Sequence, residues 1–223
     1  MIPLLHEFSG SRVLVFGGGT VGARKARRFD REAEVIVVAP AFADADFGDA
    51  SLERDGPDPA EIPEWIDRTD PALVIAATDD SDVNAAAEDA ARERGLLINR
   101  ADHSGERAPG SVVTPATVRA DPVVVGVSTQ GRAPTVSAVL RDEIEDRFEG
   151  AGELATFVGD LRDRLDERDV EGRNRRDVLR AAAESDRVRE LLADGDTDRA
   201  DDLAEGLLAD VRERDLPTKD ASK

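Results

Sequence analysis

The chain has 223 residues and a net charge of -19 spread over its whole length; it lacks cysteine, and its histidines are His6 and His103. The length suits one α/β domain with a smaller module, and the residue inventory excludes disulfides, thiolate zinc or iron–sulfur sites, a cysteine nucleophile and a multi-histidine metal centre. There is no basic stripe with interleaved aromatics and no leader, and the apolar run Val13–Phe16 is far too short to span a membrane, so the expectation is a cytoplasmic protein with no nucleic-acid or membrane partner and no resident metal, whose dispersed acidity is of the kind halophilic proteins carry.

The first strand is predicted at Arg12 to Phe16, a β-branched apolar run ending in glycines. A helix follows from Thr20 to about Phe29, then a second buried strand from Glu34 to Ala39, stopped by Pro40. Phe42 to Pro63, rich in Asp, Gly and Pro, holds one weak strand at most. Leu73 to Ala77 is another strand. Asp80 or Ser81 caps a helix to about Arg94, with Gly95 just beyond its end, and Leu96 to Asn99 is the next strand. Strands alternating with helices predict a parallel sheet covered on both faces.

Two further strands are expected at Ser111 to Val118 and Val123 to Ser128, with Arg119 to Pro122 as their turn. Pro134 opens a helix whose apolar stripe is Val136, Val139, Leu140, Ile144 and Phe148. From Gly150 the pattern is helical. One stripe is Leu154, Phe157, Val158, Leu161 and Leu165, and three more helices follow around Val178, Val188 and Leu203 to Val211. Residues 216–223 should fray. The elements divide as 1–110, an alternating strand–helix region; 111–149, a small strand–helix region; and 150–215, an all-helical region.

Gly17-Gly18-Gly19-Thr20-Val21-Gly22 matches G-x-G-x-x-G between a strand and a helix, the context that gives this motif its meaning. Gly17 allows the tight turn, Gly19 lets a pyrophosphate approach the backbone, and Gly22 lets helix and strand pack closely. The helix N-terminus then receives the phosphates. The acidic residue that usually ends the second strand is missing, since the chain reads Val38-Ala39-Pro40-Ala41. Ribose recognition then falls to backbone groups or to Asp44. No arginine follows the strand directly, which favours NAD over NADP.

Together with Ala23-Arg24-Lys25, Ala76-Ala77-Thr78-Asp79-Asp80, Asn84, Asn99, Asp102 and Val127-Ser128-Thr129 through Gly131 and Pro134, this series resembles the precorrin-2 dehydrogenase/sirohydrochlorin ferrochelatase family, the siroheme synthase N-terminal module. The resemblance runs from the N-terminus to about Phe148 and weakens beyond. It implies a three-part α/β architecture, with 1–110 an NAD-binding Rossmann domain, 111–149 a dimerisation region and 150–215 a helical C-terminal domain, in an interlocked homodimer, here in stand-alone form without a methyltransferase module. It implies NAD-dependent oxidation of precorrin-2 to sirohydrochlorin, with ferrous iron as a further substrate in those members that also chelate.

Carried over residue by residue, cofactor contacts fall on Gly17, Gly19, Thr20, Val21, Gly22, Pro40, Ala41, Thr78, Asp79 and Asn99. The catalytic aspartate matches Asp102, as a base whose pKa burial beside the cofactor would raise. Substrate contacts are assigned to Ser128, Thr129 and Arg132, although Gln130 stands where the family usually has glycine. Arg100, Arg107 and Arg119 are further candidates for pairing with the carboxylates of the tetrapyrrole. His103 reads as a loop residue and His6 as packing near the first strand. The rival reading is a Rossmann module that senses NAD or redox state without chemistry.

Overall fold

The computed structural model describes residues 2–102, 108–170 and 172–215, with side chains described to 209. Five short runs form parallel strands: β1 (Arg12–Phe16), β2 (Glu34–Ala39), β3 (Ser51–Arg54), β4 (Leu73–Ala76) and β5 (Leu97–Arg100). Their order across the sheet is β3-β2-β1-β4-β5. Three helices accompany them: α1 (Thr20–Phe29), α2 (Ile62–Thr69) and α3 (Ser81–Glu93).

Side chains alternate along a strand, so β1 feeds two cores and is apolar and buried from Val13 to Phe16. Val13 and Val15 pack with Ala23 and Ala26 of α1 and with Val35, Val37, Leu73 and Ile75. Leu14 and Phe16 pack on the other face with Ile62, Trp65 and Ile66 of α2, Val83, Ala87 and Ala91 of α3, and Ile98. The chain runs from β1 outward to β2 on one side and later to β4 on the other. The strand order therefore reverses between β1 and β4, which opens a crevice at their carboxyl ends.

Helix α3 is closed at both ends by its own sequence. Asp80 Oδ1 accepts from the backbone N–H groups of Asp82 and Val83, at 2.8 and 3.2 Å. At the other end Gly95 takes φ +68°. Its N–H bonds to Arg92 O while the Leu96 N–H reaches Ala91 O, the paired closure typical of a glycine-ended helix. Helix α2 escaped the sequence reading. It is eight residues long with Pro63 in its first turn, and its lead-in is rich in Asp, Gly and Pro. The buried set Ile62, Trp65, Ile66 and Thr69 is too short a pattern to stand out.

Residue contacts group the chain into two units: Met1–Thr114 with Thr129–Pro134, and Pro115–Ser128 with Thr135–Lys223. The second unit opens with the antiparallel pair β6 (Ala116–Ala120) and β7 (Val123–Val127). The expected turn was Arg119 to Pro122, but Arg119 and Ala120 pair with Val124 and Val123. Ser111 makes a lone parallel bridge to Ile98 instead of starting a strand, and Pro115, with no N–H to give a ladder, precedes β6. Five helices follow: α4 (Pro134–Arg147), α5 (Ala151–Glu167), α6 (Gly172–Glu184), α7 (Asp186–Ala193) and α8 (Thr197–Asp215).

Helices α5 to α8 share a core of Phe157, Leu161, Leu165, Val178, Ala182, Val188, Leu191, Ala200, Ala204 and Leu208. Gly152 of α5 lies against the hairpin turn, where a Cβ would meet Asp121 O at 2.6 Å. The stripe on α4 is not buried within the chain: Val136, Val139, Leu140 and Phe148 stay 49, 50, 40 and 43% exposed. The Val211 side chain and the tail 216–223 lie outside the described residues. Among the described residues no helix is long and apolar enough to cross a membrane.

Leu14 is fully buried on the α2/α3 face of β1. Leu14→Ala should cost about 2–5 kcal/mol, through lost transfer energy and a residual cavity. Denaturant unfolding should show a lowered midpoint with an unchanged slope.

Candidate dinucleotide-binding groove

The crevice at the β1/β4 switch point is a groove of about 740 Å³. Its walls are Gly17 to Val21, Val38 to Ala41, Gly56 to Pro59, and Ala77 to Asp80, with Phe16 and Val83 at its base. Of the expected cofactor contacts, Gly17, Gly19, Thr20, Val21, Pro40, Ala41, Thr78 and Asp79 line it.

Each glycine of the turn has a distinct reason to lack a side chain. Gly17 sits at φ +124°, and a Cβ there would meet Ala77 O at 2.3 Å. At Gly18, to which the sequence reading gave no role, a Cβ would strike Ala41 O at 2.2 Å. Gly22 does not line the groove; its Cβ would fall 1.9 Å from Gly17 O, so it lets α1 close onto the turn. Gly19 alone of the four faces open space. Its conformation suits any residue, at φ -79° and ψ -177°. The space over it is what a ligand backbone would fill.

Helix α1 begins at that point without a side-chain cap, and no acidic residue lies in its first turn. The first N–H groups of a helix have no partner within it and normally take one from a capping side chain. Here those donors and the positive helix end face the groove, which fits a pyrophosphate.

Asp44, the alternative to backbone groups for holding the ribose, is not among the groove residues. Among the described residues, the carboxylates lining the groove are Asp58, Asp79 and Asp80, and no lysine or arginine lines it. The loop that carries Asp58 follows β3 at the carboxyl edge. A Gly-Pro-Asp-Pro stretch after even a weak parallel strand was the signal that could have flagged it.

The polar network beside the groove is centred on Asn84, which is 1% exposed. Its Oδ1 accepts from the Thr78 N–H at 3.2 Å, and its Nδ2 donates to Thr78 O at 2.9 Å. The Asn84 side chain also favours the charged form of the Asp102 carboxylate. Asn84 thus fixes the groove wall at Thr78 and contributes to the charge state of Asp102, which follows β5 and is not among the groove residues. Asp102 is gripped bidentately by Arg100, with Nε at 3.0 Å and Nη2 at 2.6 Å. Arg100 also reaches Glu88 at 3.2 Å.

The expectation of a raised pKa for Asp102 is reversed. The Arg100 hydrogen bonds hold it below the ordinary aspartate value, opposed by partial burial and assisted by Asn84. The pair stabilises the fold above the unfolded-state carboxylate range, and that contribution is lost as pH falls through the folded value. Arg100 itself is committed to two carboxylates and is not a free contact for substrate.

The remaining candidates lie elsewhere. Asn99 faces the opposite side of β5 from Ile98; its Nδ2 donates to Val112 O at 2.7 Å, and its buried Oδ1 has no partner. It pins the 108–114 segment to the sheet and is not a groove residue. Ser128, Thr129 and Arg132 do not line the groove either. Thr129 organises a turn, accepting the Arg132 N–H on its carbonyl and the Ala133 N–H on its hydroxyl. Gln130 and Gly131 both take positive φ there, +56° and +81°, which explains why glycine suits position 130. His6 stacks on Phe8 with centroids 4.4 Å apart. His103 and Arg107 lie outside the described residues. Among the described residues no three His, Cys, Asp or Glu side chains cluster as a metal site.

Two family models match the chain: an NAD(P)-binding family over residues 4–116, and the sirohaem synthase dimerisation region over residues 150–208. A precorrin-2 dehydrogenase of Methanosarcina barkeri is 31% identical over 196 residues, covering 84% of each chain. The chain belongs to the precorrin-2 dehydrogenase family. It is also 32% identical over 218 residues to siroheme synthase 3 of Aeromonas hydrophila, spanning 94% of this chain and 44% of that one, so it covers under half of that relative's length. Among solved structures, SirC, a precorrin-2 dehydrogenase, shares the fold with a TM-score of 0.69 at 20% identity, over 92% of this chain and all of SirC. The dimerisation match falls on the helical region 150–208, C-terminal to the 111–149 segment expected from the sequence.

Gly19→Ala should leave the fold intact and weaken NAD binding by at least about tenfold, because the new methyl enters the space a pyrophosphate would use. Gly22→Ala should instead lower the melting temperature. Calorimetric titration and thermal unfolding separate the two.

Proposed function

We propose that this protein oxidises precorrin-2 to sirohydrochlorin with NAD, as a cytoplasmic homodimer. The observation that carries the reading is the uncapped, glycine-lined N-terminus of α1 opening into a groove whose wall at Thr78 is fixed by Asn84, together with a partly exposed Asp102 that Arg100 keeps charged. A dehydrogenation of this kind removes a hydride and a proton from the reduced macrocycle. NAD, when bound, supplies the hydride acceptor.

The chain's own residues do the rest. The N–H groups of Thr20 and Val21 take the pyrophosphate. Thr78, fixed by Asn84, presents the end of β4 to the nicotinamide half of the groove. Asp102 accepts the proton on a carboxylate oxygen; Arg100 keeps that carboxylate charged and oriented, and Glu88 steadies Arg100. Arg132 is exposed and carries a charge suited to the carboxylates of the tetrapyrrole. The exposed apolar stripe of α4 and the helical region 150–208 supply surface for a second copy.

Anaerobic incubation with precorrin-2 and NAD, followed in the visible spectrum, should yield the sirohydrochlorin spectrum. Asp102→Asn should keep NAD binding and lose turnover. No conversion by folded, NAD-binding protein would favour the sensor reading. Ferrous iron added to the product then tests chelation with the metal as substrate. Arg100→Gln should move the acid limb of kcat/KM to higher pH, because Asp102 loses the partner that keeps it charged. An unmoved limb would remove Asp102 as the titrating base. Sedimentation giving only monomer at micromolar concentration would overturn the dimer.

A further inference from the structure

The second strand ends without the acid that commonly holds the adenosine ribose, yet the same wall of the groove carries a carboxylate from another loop. Arg54 of β3 pairs with Ala39 of β2, and the next N–H, from Asp55, bonds to Ala39 O at 3.1 Å. Gly56 then lies against Pro40, leaving only 3.2 Å between Pro40 Cβ and a Cβ built on it. The loop is thus laid directly over the end of β2.

Three residues after Asp55, Asp58 is fixed by its backbone. Its N–H donates to Glu61 Oε2 at 2.8 Å, and its carbonyl accepts from the Glu61 N–H at 2.9 Å. The side chain has no part in those bonds. It lines the groove with Ala39, Pro40 and Ala41, and has no hydrogen-bond or ion-pair partner among the described residues. The Arg54 guanidinium of β3 lies over the Phe42 ring, 5.8 Å from its centroid, and Arg54 is not among the groove residues.

We infer that Asp58 takes over ribose recognition, accepting the adenosine hydroxyls and rejecting a 2′-phosphate, so that this loop rather than the end of β2 selects NAD over NADP. A carboxylate can accept two vicinal hydroxyls, while a phosphate placed there meets like charge in a groove that no lysine or arginine lines among the described residues. The inference rests on reading the groove as the dinucleotide site, and it is independent of what the second substrate is.

The test is calorimetric titration of the wild type, Asp58→Asn and Asp58→Ala with NAD and with NADP, without tetrapyrrole. The loop is held by backbone bonds, so both variants should keep the wild-type melting temperature. The wild type should prefer NAD, and both variants should lose about tenfold or more of that preference, through weaker NAD and stronger NADP binding. A preference unchanged in both variants, or a wild type that prefers NADP, overturns the inference while leaving the dehydrogenase reading standing. A folded wild type that binds neither dinucleotide overturns both.

Discussion

The first unit depends on the approach of Gly22 to Gly17. A helix can start immediately after β1 only if its first turn folds back onto the strand's final residues, and the Gly17 carbonyl occupies the space a side chain at 22 would need. Several features follow from that contact. The N-terminus of α1 is aimed across the sheet edge, Gly19 is left open, and β4 can bring Ala77 against Gly17 at the switch point. Both faces of the sheet are then covered, which is why β1 and β2 are apolar after their first residue and β4 is apolar throughout.

Much of this was legible in the sequence because the determinants are local. The glycine spacing, the capping Asp80 and the glycine after α3 each act within a few residues of themselves. Strand alternation is equally local, and four of the parallel strands fell within a residue or so of their expected bounds. What was less legible depends on tertiary contact. Helix α2 is short and gains its stability from Trp65 and Ile66 packing under β1 and β4. The hairpin's register depends on cross-strand pairing, which drew Arg119 and Ala120 out of the expected turn.

At the site the division is similar. The phosphate-binding turn could be read directly, since main-chain geometry and glycine go together. Asp102 could be named but its electrostatics could not, because they are set by Arg100 two residues before it and by Asn84 from another helix. Neither is predictable from spacing without knowing that β4 and β5 are neighbours. Asn99 lies on the strand face away from α2 and α3, so it serves the chain segment beneath the sheet. The contribution of Asp58 was hidden for a related reason: it lies on the wall of β2 only because β3 pairs there.

Among the described residues the groove presents three carboxylates and no lysine or arginine. Its attraction for an anionic ligand therefore comes from peptide groups, which carry no proton to lose and are the same whatever residue bears them. Side chains elsewhere can drift far in composition, toward aspartate and arginine and a net charge of -19, without erasing that attraction. Sequence change at the turn is policed by volume instead: three of its four glycines have carbonyl oxygens where a methyl would go, and the fourth keeps a space for the ligand.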